Sequence, residues 1–288
     1  MILLIGYIIV IGSVVLGLHI GGSNIMVLAH LNEFVVVLGI CFGVMVIASP
    51  FAVLKAIFVK TIDAFKGGSI KKDAHMEALQ MLYQFFMLAR KDGLLALEEH
   101  ISDIKQSSIA SQYPTFVNNE NAVNFLVDSL RPIVDGRIKP EDMQELVDAE
   151  IRSLSGENAE PIHVMRLVGD SFPGIGICAA VLGIILTMGN IAEGAETVGY
   201  KVAAALTGTF LGVYGAYGFV NPLTIVMETN NGSEERYYKL LGQSIVSFTN
   251  GMAPLMAVEI GRRTLLPGER PGSDEMEETL KKIGKGDS

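Results

Sequence analysis

The sequence has only two cysteines among its 288 residues, Cys41 and Cys178, and both lie inside apolar runs. A free thiol in such a run usually packs as a small hydrophobic side chain, so the low count argues against a disulfide framework. The histidines and cysteines lack the spacing of a metal-ligand motif. The net charge is -9, and because phosphate binding requires a concentrated basic surface, the composition also argues against a nucleic-acid partner.

Lysine and arginine are missing from two long parts of the chain. Apart from Lys201, they lie between Lys55 and Arg166 or between Arg236 and Lys285. Half of the residues are hydrophobic, which favours a membrane protein, but this many charges cannot all lie within a bilayer. The sequence therefore predicts two membrane blocks that alternate with two polar blocks.

Four apolar runs are long enough to cross a bilayer, which requires about 20 residues of helix. The first two are Ile2 to Leu18 and Phe34 to Leu54, and the other two lie back to back in Ser171 to Pro222. The connections His19 to Glu33 and Asn190 to Tyr200 contain no Lys or Arg. Because short basic loops stay in the cytoplasm, this asymmetry predicts four spans with both termini cytoplasmic.

The polar blocks are predicted to be helical. Apolar residues recur at steps of three and four between Asp73 and Ser153, and again between Tyr237 and Ile260. We expect a polar linker at Ser155 to Pro161 and a mobile end from Pro267 to Ser288. His75, His100 and His163 are predicted to lie at the surface or at a domain boundary.

The predicted fold class is an all-α integral membrane protein with four transmembrane helices. A helical cytoplasmic domain separates spans 2 and 3, and a cytoplasmic tail follows span 4. The predicted domains are membrane helices 1 and 2 (1–54), a cytoplasmic helical domain (55–169), membrane helices 3 and 4 (170–227), and a cytoplasmic helix with a flexible tail (228–288).

Neither of the two apolar runs in Ser171 to Pro222 has a charged side chain in its interior, but small residues repeat along both. Small residues at every fourth position allow helix backbones to approach closely in a membrane. The pattern fits packing within the chain and packing against another subunit equally well. The positions are Gly176, Ala179 or Ala180, Gly183 and Thr187 on the third span, and Ala204, Gly208, Gly212 and Ala216 on the fourth.

Threonines in the same two runs have two interpretations. A threonine in a membrane helix most often donates a hydrogen bond to a carbonyl of its own helix. Thr187 and Thr209 lie on or beside the small-residue faces, so they also fit the wall of a polar path.

Several motifs resemble the MotA/PomA family of flagellar stator subunits, and the resemblance covers nearly the whole chain. The four-span topology derived from the apolar runs agrees with it independently. The motifs are Gly6 to Val14, Met87 to Glu98, Val168 to Ser171, Asp170 to Gly183, Gly208 to Gly212, Tyr217 to Pro222 and Ala257 to Leu265.

The resemblance implies a part of an ion-driven motor in the bacterial inner membrane. It implies a pentamer of this subunit around a dimer of a MotB-like partner, a single-span protein that binds peptidoglycan and carries the ion-binding aspartate. An intramembrane carboxylate is the expected proton site of such a machine. Spans 3 and 4 contain none, so we expect the partner to supply it.

The resemblance also assigns roles to individual residues. Pro173 and Pro222 match prolines near the ion path that couple ion binding to conformational change, which suits a residue that removes a backbone donor and kinks a helix. Arg90 and Glu98 match the charged residues that contact the rotor's switch protein. Such surface charges favour a contact that forms and releases quickly.

The transported ion is predicted from one position. Sodium-type members of the family carry a threonine in the third span where this sequence has Ala180, whereas the threonine at position 209 is shared by both types. Because a sodium ion needs several oxygen ligands and alanine supplies none, we expect protons. No cofactor is expected.

Three other functions remain as alternatives. The nearest is an ExbB/TolQ-like proton-driven energiser of outer-membrane processes, a group that typically has three spans. A passive membrane scaffold is the second. An enzyme is the weakest alternative, because no set of nucleophile, base and oxyanion donors can be named.

Overall fold

The computed structural model describes residues 2–23, 28, 30–68, 70–189, 192 and 194–286, and these residues form helices without any β-strand. Asn190, Ile191 and Glu193, which belong to the predicted second outer connection, lie outside the described residues. The helices are α1 (Ile2–Ile20), α2 (Leu31–Ile47), α3 (Phe51–Lys66), α4 (Lys72–Asp92), α5 (Glu98–Ser102), α6 (Pro114–Val117), α7 (Glu120–Val134), α8 (Met143–Met188), α9 (Ala195–Gly215), α10 (Asn221–Thr249), α11 (Pro254–Arg263) and α12 (Ser273–Gly286).

The chain divides into two compact units. The apolar unit comprises Met1–Gly68 and Glu157–Asn230, and the polar unit comprises Ser69–Gly156 and Asn231–Ser288. Three helical segments of the described residues are long and apolar enough to span a membrane, and they lie in α1, α8 and the run that contains α9 and α10. The fourth apolar helix, α2, has 17 residues.

Helix α1 has no buried residue. Two tyrosine hydroxyls form hydrogen bonds between α1 and the rest of the apolar unit. The Tyr7 hydroxyl donates to the Phe219 carbonyl at 3.0 Å, and the Tyr214 hydroxyl donates to the Val10 carbonyl at 3.1 Å. Its apolar side chains are therefore available to lipid along most of the helix.

The second apolar run is divided into two helices, contrary to the prediction of one span from Phe34 to Leu54. Helix α2 begins three residues earlier, at Leu31, and ends at Ile47. Pro50 then disfavours helical backbone at the residue before it, and a separate helix starts at Phe51. The earlier start places Glu33 in the first turn of α2.

The predicted linker at Ser155 to Pro161 is also wrong, because α8 continues without a break from Met143 to Met188. Apolar residues keep helical spacing across this stretch: Ile151 and Ile162 are both buried and are separated by 11 residues, which is close to three helical turns. A proline fixes φ near the helical value, so Pro161 costs one hydrogen bond without ending the helix.

The core of the polar unit is apolar and aromatic. Phe86 of α4 stacks on Phe248 of α10 with ring centroids 4.3 Å apart. The predicted helix from Tyr237 to Ile260 is divided, because Gly251 adopts a left-handed backbone with φ of 91° and Pro254 starts α11. The predicted mobile end instead forms α12, which buries Met276 and Leu280.

His75 is completely buried in the polar unit, which excludes the surface position, one of the two that the sequence predicts for it. It lies on the face of α4 that also buries Leu79 and Leu82, and its ring centroid is 5.7 Å from that of Tyr237. Burial lowers the pKa of the imidazole, and the nearby Glu269 carboxylate opposes that shift. The helical spacing of His75 with the apolar residues explains its burial.

A buried ion pair connects α11 to the chain that follows it. Arg262 Nε and Nη2 donate to the two oxygens of the Glu259 carboxylate, at 2.6 and 2.8 Å. Arg262 Nη1 donates to the Pro271 carbonyl at 2.8 Å. The hydrogen bonds from Arg262, with a smaller contribution from the exposed Arg263, lower the pKa of Glu259 to about 2, against an opposing effect of burial.

Acidification is expected to destabilise the polar unit through Glu259. The folded protein binds this proton less tightly than the unfolded chain does, so the stabilisation is present above about pH 4.5 and is lost as the pH falls towards 2. The full effect is on the order of 3 kcal/mol. Thermal unfolding of the solubilised protein between about pH 6 and pH 3 should show it, and Arg262→Met should lower the Tm at pH 6 and weaken its dependence on acid.

Arg137 and Asp135 provide the matched control for this prediction. Their ion pair at 3.1 Å is on the surface, and the Arg137 side chain is 77% exposed. Exposed pairs contribute about 0–1 kcal/mol, so Arg137→Met should leave the pH profile of the Tm unchanged. An Arg262→Met protein with the acid dependence of the wild type would contradict the assignment to Glu259.

Candidate functional site

Helices α8 and α9 touch backbone to backbone in the apolar unit. A Cβ atom at Gly176 would lie 2.7 Å from the Gly208 carbonyl oxygen and 2.8 Å from the Gly212 Cα, distances that leave no room for a side chain. The predicted small-residue faces are therefore used within the chain. Ala205 also lies at this contact, because its Cβ is 2.7 Å from the position of a Cβ at Gly183.

Ala180 lies at this helix contact, opposite the turn of α9 that contains Gly208 and Thr209. Ala180 is buried, and its backbone nitrogen would be 3.2 Å from a Cβ at Gly208, the residue next to Thr209. Thr209 is half-buried, and its hydroxyl has no hydrogen-bond partner among the described residues. The fold thus places Ala180 of α8 against the residue that precedes Thr209 in α9.

Thr187 has a different environment. It is completely buried, and its hydroxyl donates to the Gly183 carbonyl of the same helix at 2.7 Å. It follows Pro173 by 14 residues, which corresponds to about 21 Å along the helix axis. Thr187 therefore lies well away from the predicted prolines, and its hydroxyl is engaged by its own helix.

The two predicted prolines lie at a contact between α8 and the start of α10. A proline has no N–H, so Pro173 leaves the carbonyl of Gly169 without its usual helical partner. A Cβ at Gly169 would collide with the side-chain oxygen of Asn221, the residue directly before Pro222. The fold therefore brings together the two helical turns that lack a hydrogen bond.

A π-helical turn precedes Pro222. It covers Ala216–Val220, and the backbone N–H of Asn221 donates to the Ala216 carbonyl, five residues back. Single π-helical turns inside long helices are rare and frequently occur at functional sites. The apolar unit thus has irregular backbone hydrogen bonding at both of its predicted hinges.

One residue of this region was missed by the sequence analysis, which placed Glu33 in an outer loop. Glu33 is only 7% exposed, and its carboxyl oxygens lie between α8 and α9. A Cβ at Gly208 would be 2.7 Å from its Oε2, and a Cβ at Gly183 would be 3.2 Å from its Oε1. Leu31, three residues before Phe34, extends the helical spacing of apolar residues backwards along the chain and so could have placed Glu33 within α2.

Arg90 and Glu98 lie in the polar unit, and both side chains are exposed. Arg90 is in the last turn of α4, and Glu98 begins α5 after a break at Gly93, which has φ of 87°. Within the described part of the chain, neither side chain forms an ion pair. They are available to a partner, although they do not share one continuous helix.

Apolar helices that pack through glycines, with hydroxyl and carboxyl groups between them, define a multi-span membrane protein of the kind that forms channels and transporters. Two family models match this chain. Residues 4–93 match "Motility protein A N-terminal", and residues 118–239 match "MotA/TolQ/ExbB proton channel family". The chain belongs to the Motility protein A family, as its full-length relatives also show.

Relatives match almost from end to end. Motility protein A of Escherichia coli is 32% identical over 98% of this chain and 96% of its own length, and that of Salmonella typhimurium is equally similar. Chemotaxis protein LafT of Vibrio parahaemolyticus is 30% identical over 86% of this chain and 87% of its own length.

Solved structures share the fold. A structure of MotAB from C. jejuni aligns with a TM-score of 0.74 and 22% identity, covering 92% of this chain and 95% of the matched chain. The flagellar MotAB stator complex from Bacillus subtilis aligns with a TM-score of 0.73 and 21% identity, covering 92% and 96%. The helical architecture of a Motility protein A chain is therefore confirmed.

Proposed function

We propose that this chain is the channel-forming stator subunit of a bacterial flagellar motor, and that it converts an ion-motive force into torque on the rotor. The observation that carries the proposal is the end-to-end similarity to Motility protein A, at 32% identity over 98% of the chain. The glycine contacts of α8 and α9 and the paired proline turns support it, because they combine close helix packing with two helical turns that lack a regular backbone hydrogen bond.

The proposed arrangement in the inner membrane has four spans and cytoplasmic termini. Helix α2 has 17 residues, which is the lower end of the length that crosses a bilayer. Apart from Lys201, the basic residues near the spans lie in the segments that follow span 2, precede span 3 or follow span 4, which supports a cytoplasmic location for those segments. Arg90 and Glu98 would then face the rotor's switch protein.

A MotB-like single-span subunit is the proposed partner, within a pentamer of this chain. The similar solved structures are MotAB complexes, which supports a partner of that kind. In the proposed mechanism, ions pass along the α8 and α9 face near Ala180 and Thr209. Changes at Pro173 and Pro222 then alter the helices that continue into the polar unit.

Protons are the proposed ion. A sodium site needs several oxygen ligands at fixed distances, whereas Ala180 adds none and Thr209 adds one hydroxyl. Thr187 already donates its hydroxyl to a carbonyl of its own helix. A proton needs only a single basic group and a path of hydrogen bonds.

An ExbB/TolQ-like energiser is the second candidate, because one matched family model includes those proteins. The separate match of residues 4–93 to the Motility protein A N-terminal model favours the stator.

Coexpression with a MotB-like partner in a non-motile host that lacks both stator subunits tests the proposal. We expect the two chains to copurify and to restore swimming that persists without sodium and stops with a protonophore. Swimming that requires sodium and survives the protonophore would contradict the proton assignment. Failure to copurify any single-span partner would contradict the stator function.

A further inference from the structure

Glu33 is a carboxylic acid inside the packed helices of the apolar unit. It lies in the first turn of α2 and is 7% exposed, and its Oε2 atom has no hydrogen-bond partner among the described residues. A buried polar group without a partner is costly, and ionisable residues within membrane spans are usually functional. Its position therefore requires an explanation that helix packing does not provide.

The surroundings of the carboxyl group are shaped for it. Gly183 of α8 and Gly208 of α9 face its two oxygens, and a Cβ at either glycine would approach to 3.2 Å or 2.7 Å. Ala179 and Ala205 also contact the same two glycine positions. Glycine at these two positions therefore leaves open a cradle for the carboxyl group, and the methyl groups of Ala179 and Ala205 lie beside it.

Few titratable groups lie near this cradle. On α9, Lys201 precedes Ala205 by one turn and so lies on the same face of the helix. His30 directly precedes α2, and its ring centroid is 5.5 Å from that of Tyr200. On α8, no acidic or basic residue occurs between Ser171 and Met188. Among the described residues, Glu33 forms no ion pair with a lysine or an arginine.

The geometry points to Glu33 as a proton-binding site that this chain itself contributes beside the ion path. Alanine methyl groups carry no oxygen, and the carbonyls of helical glycines are engaged in backbone hydrogen bonds, so few ligands besides the carboxyl group itself are offered to a metal cation. A carboxyl group binds and releases a proton without other ligands. Gly208 connects the site to the path, because it faces Glu33 Oε2 and also adjoins Ala180 and Thr209.

This role rests on the proposed stator function, and it adds a proton site that belongs to this subunit rather than to its partner. The carboxyl group lies at the end of α2 that follows the first connection, His19 to Glu33. In the proposed topology that end faces outward, so Glu33 would receive protons before they reach the partner's aspartate.

The first test replaces Glu33 by glutamine, which keeps the shape of the side chain and removes the titratable proton. In complex with the partner, Glu33→Gln should assemble normally but lower proton flux and swimming speed at least tenfold. Glu196→Gln is the matched control, because Glu196 is an exposed acid at the start of α9 and should behave as the wild type. A Glu33→Gln complex that conducts and swims like the wild type would overturn the inference.

A second measurement uses the wild-type complex and does not depend on how the variant folds. Dicyclohexylcarbodiimide, an apolar reagent, adds to protonated carboxyl groups and forms an acylurea with no leaving group. Mass spectrometry should find the label on Glu33, with less label as the pH rises, and little on Glu196. An unlabelled Glu33 would refute proton binding there. If wild-type complexes were labelled but did not conduct, the stator function would be wrong and the proton site would stand.

Discussion

Pro173→Ala is expected to stop swimming, or to slow it more than tenfold, while the protein folds at least as well as the wild type. Alanine restores an N–H that can donate to the Gly169 carbonyl, and replacing an interior proline favours a helix by up to about 3 kcal/mol. The restored bond would make α8 regular at the turn where Gly169 contacts Asn221. If the irregular turn at Pro173 is functional, the variant should be more stable than the wild type and inactive.

Pro161→Ala is the control for this prediction, because Pro161 is a second proline inside the same helix and has no predicted role. Swimming rings in soft agar and the torque of tethered cells measure function, and thermal unfolding measures stability. Motility of Pro173→Ala equal to that of the wild type would favour a passive scaffold. Equal losses for both variants would show that α8 tolerates no straightening at any point.

Reversing the charges of Arg90 and Glu98 together is expected to abolish rotation without affecting the fold. The double variant Arg90→Glu, Glu98→Lys keeps the net charge and inverts its pattern on the exposed surface of the polar unit. Surface substitutions of this kind change stability by about 0.5 kcal/mol or less, so expression and Tm should be unchanged. Each single reversal should reduce swimming only partly, because charges at a surface contact share its steering.

Lys91→Glu tests whether position matters more than charge. Lys91 is exposed and adjacent to Arg90, but it has no counterpart among the predicted rotor contacts. Its reversal should slow swimming less than that of Arg90. Restoration of the double variant by a matching charge reversal on the switch protein would confirm direct contact, whereas normal swimming of the double variant would exclude it.

The helical architecture could be predicted because apolar runs and their periodicity are local signals. The errors occurred where neighbouring signals compete. Pro50 ends α2 inside a run that hydropathy treats as continuous, and Gly251 with Pro254 divides a periodic segment. Conversely, Pro161 and its polar neighbours predict a linker, whereas the buried residues Ile151 and Ile162 keep the spacing of one continuous helix.

The candidate site could be predicted only in part. Small residues at every fourth position identified the faces of α8 and α9, because that spacing is a property of one helix. Glu33 could not be identified in the same way, because its role depends on a contact between α2 and two distant helices. The contact between Gly169 and Asn221 likewise joins positions 52 residues apart and has no local signature.

Helix α1 is stabilised differently from the helices that form the protein core. Since none of its residues is buried, its own backbone hydrogen bonds and the surrounding lipid stabilise it, and it can insert as an independent helix. It is attached through the Tyr7 and Tyr214 hydroxyls, both of which reach backbone carbonyls, and through contacts of the Tyr7 ring with Phe65 and Phe219. In a membrane these bonds do not compete with water, and together with the ring contacts they orient a helix that the protein core does not enclose.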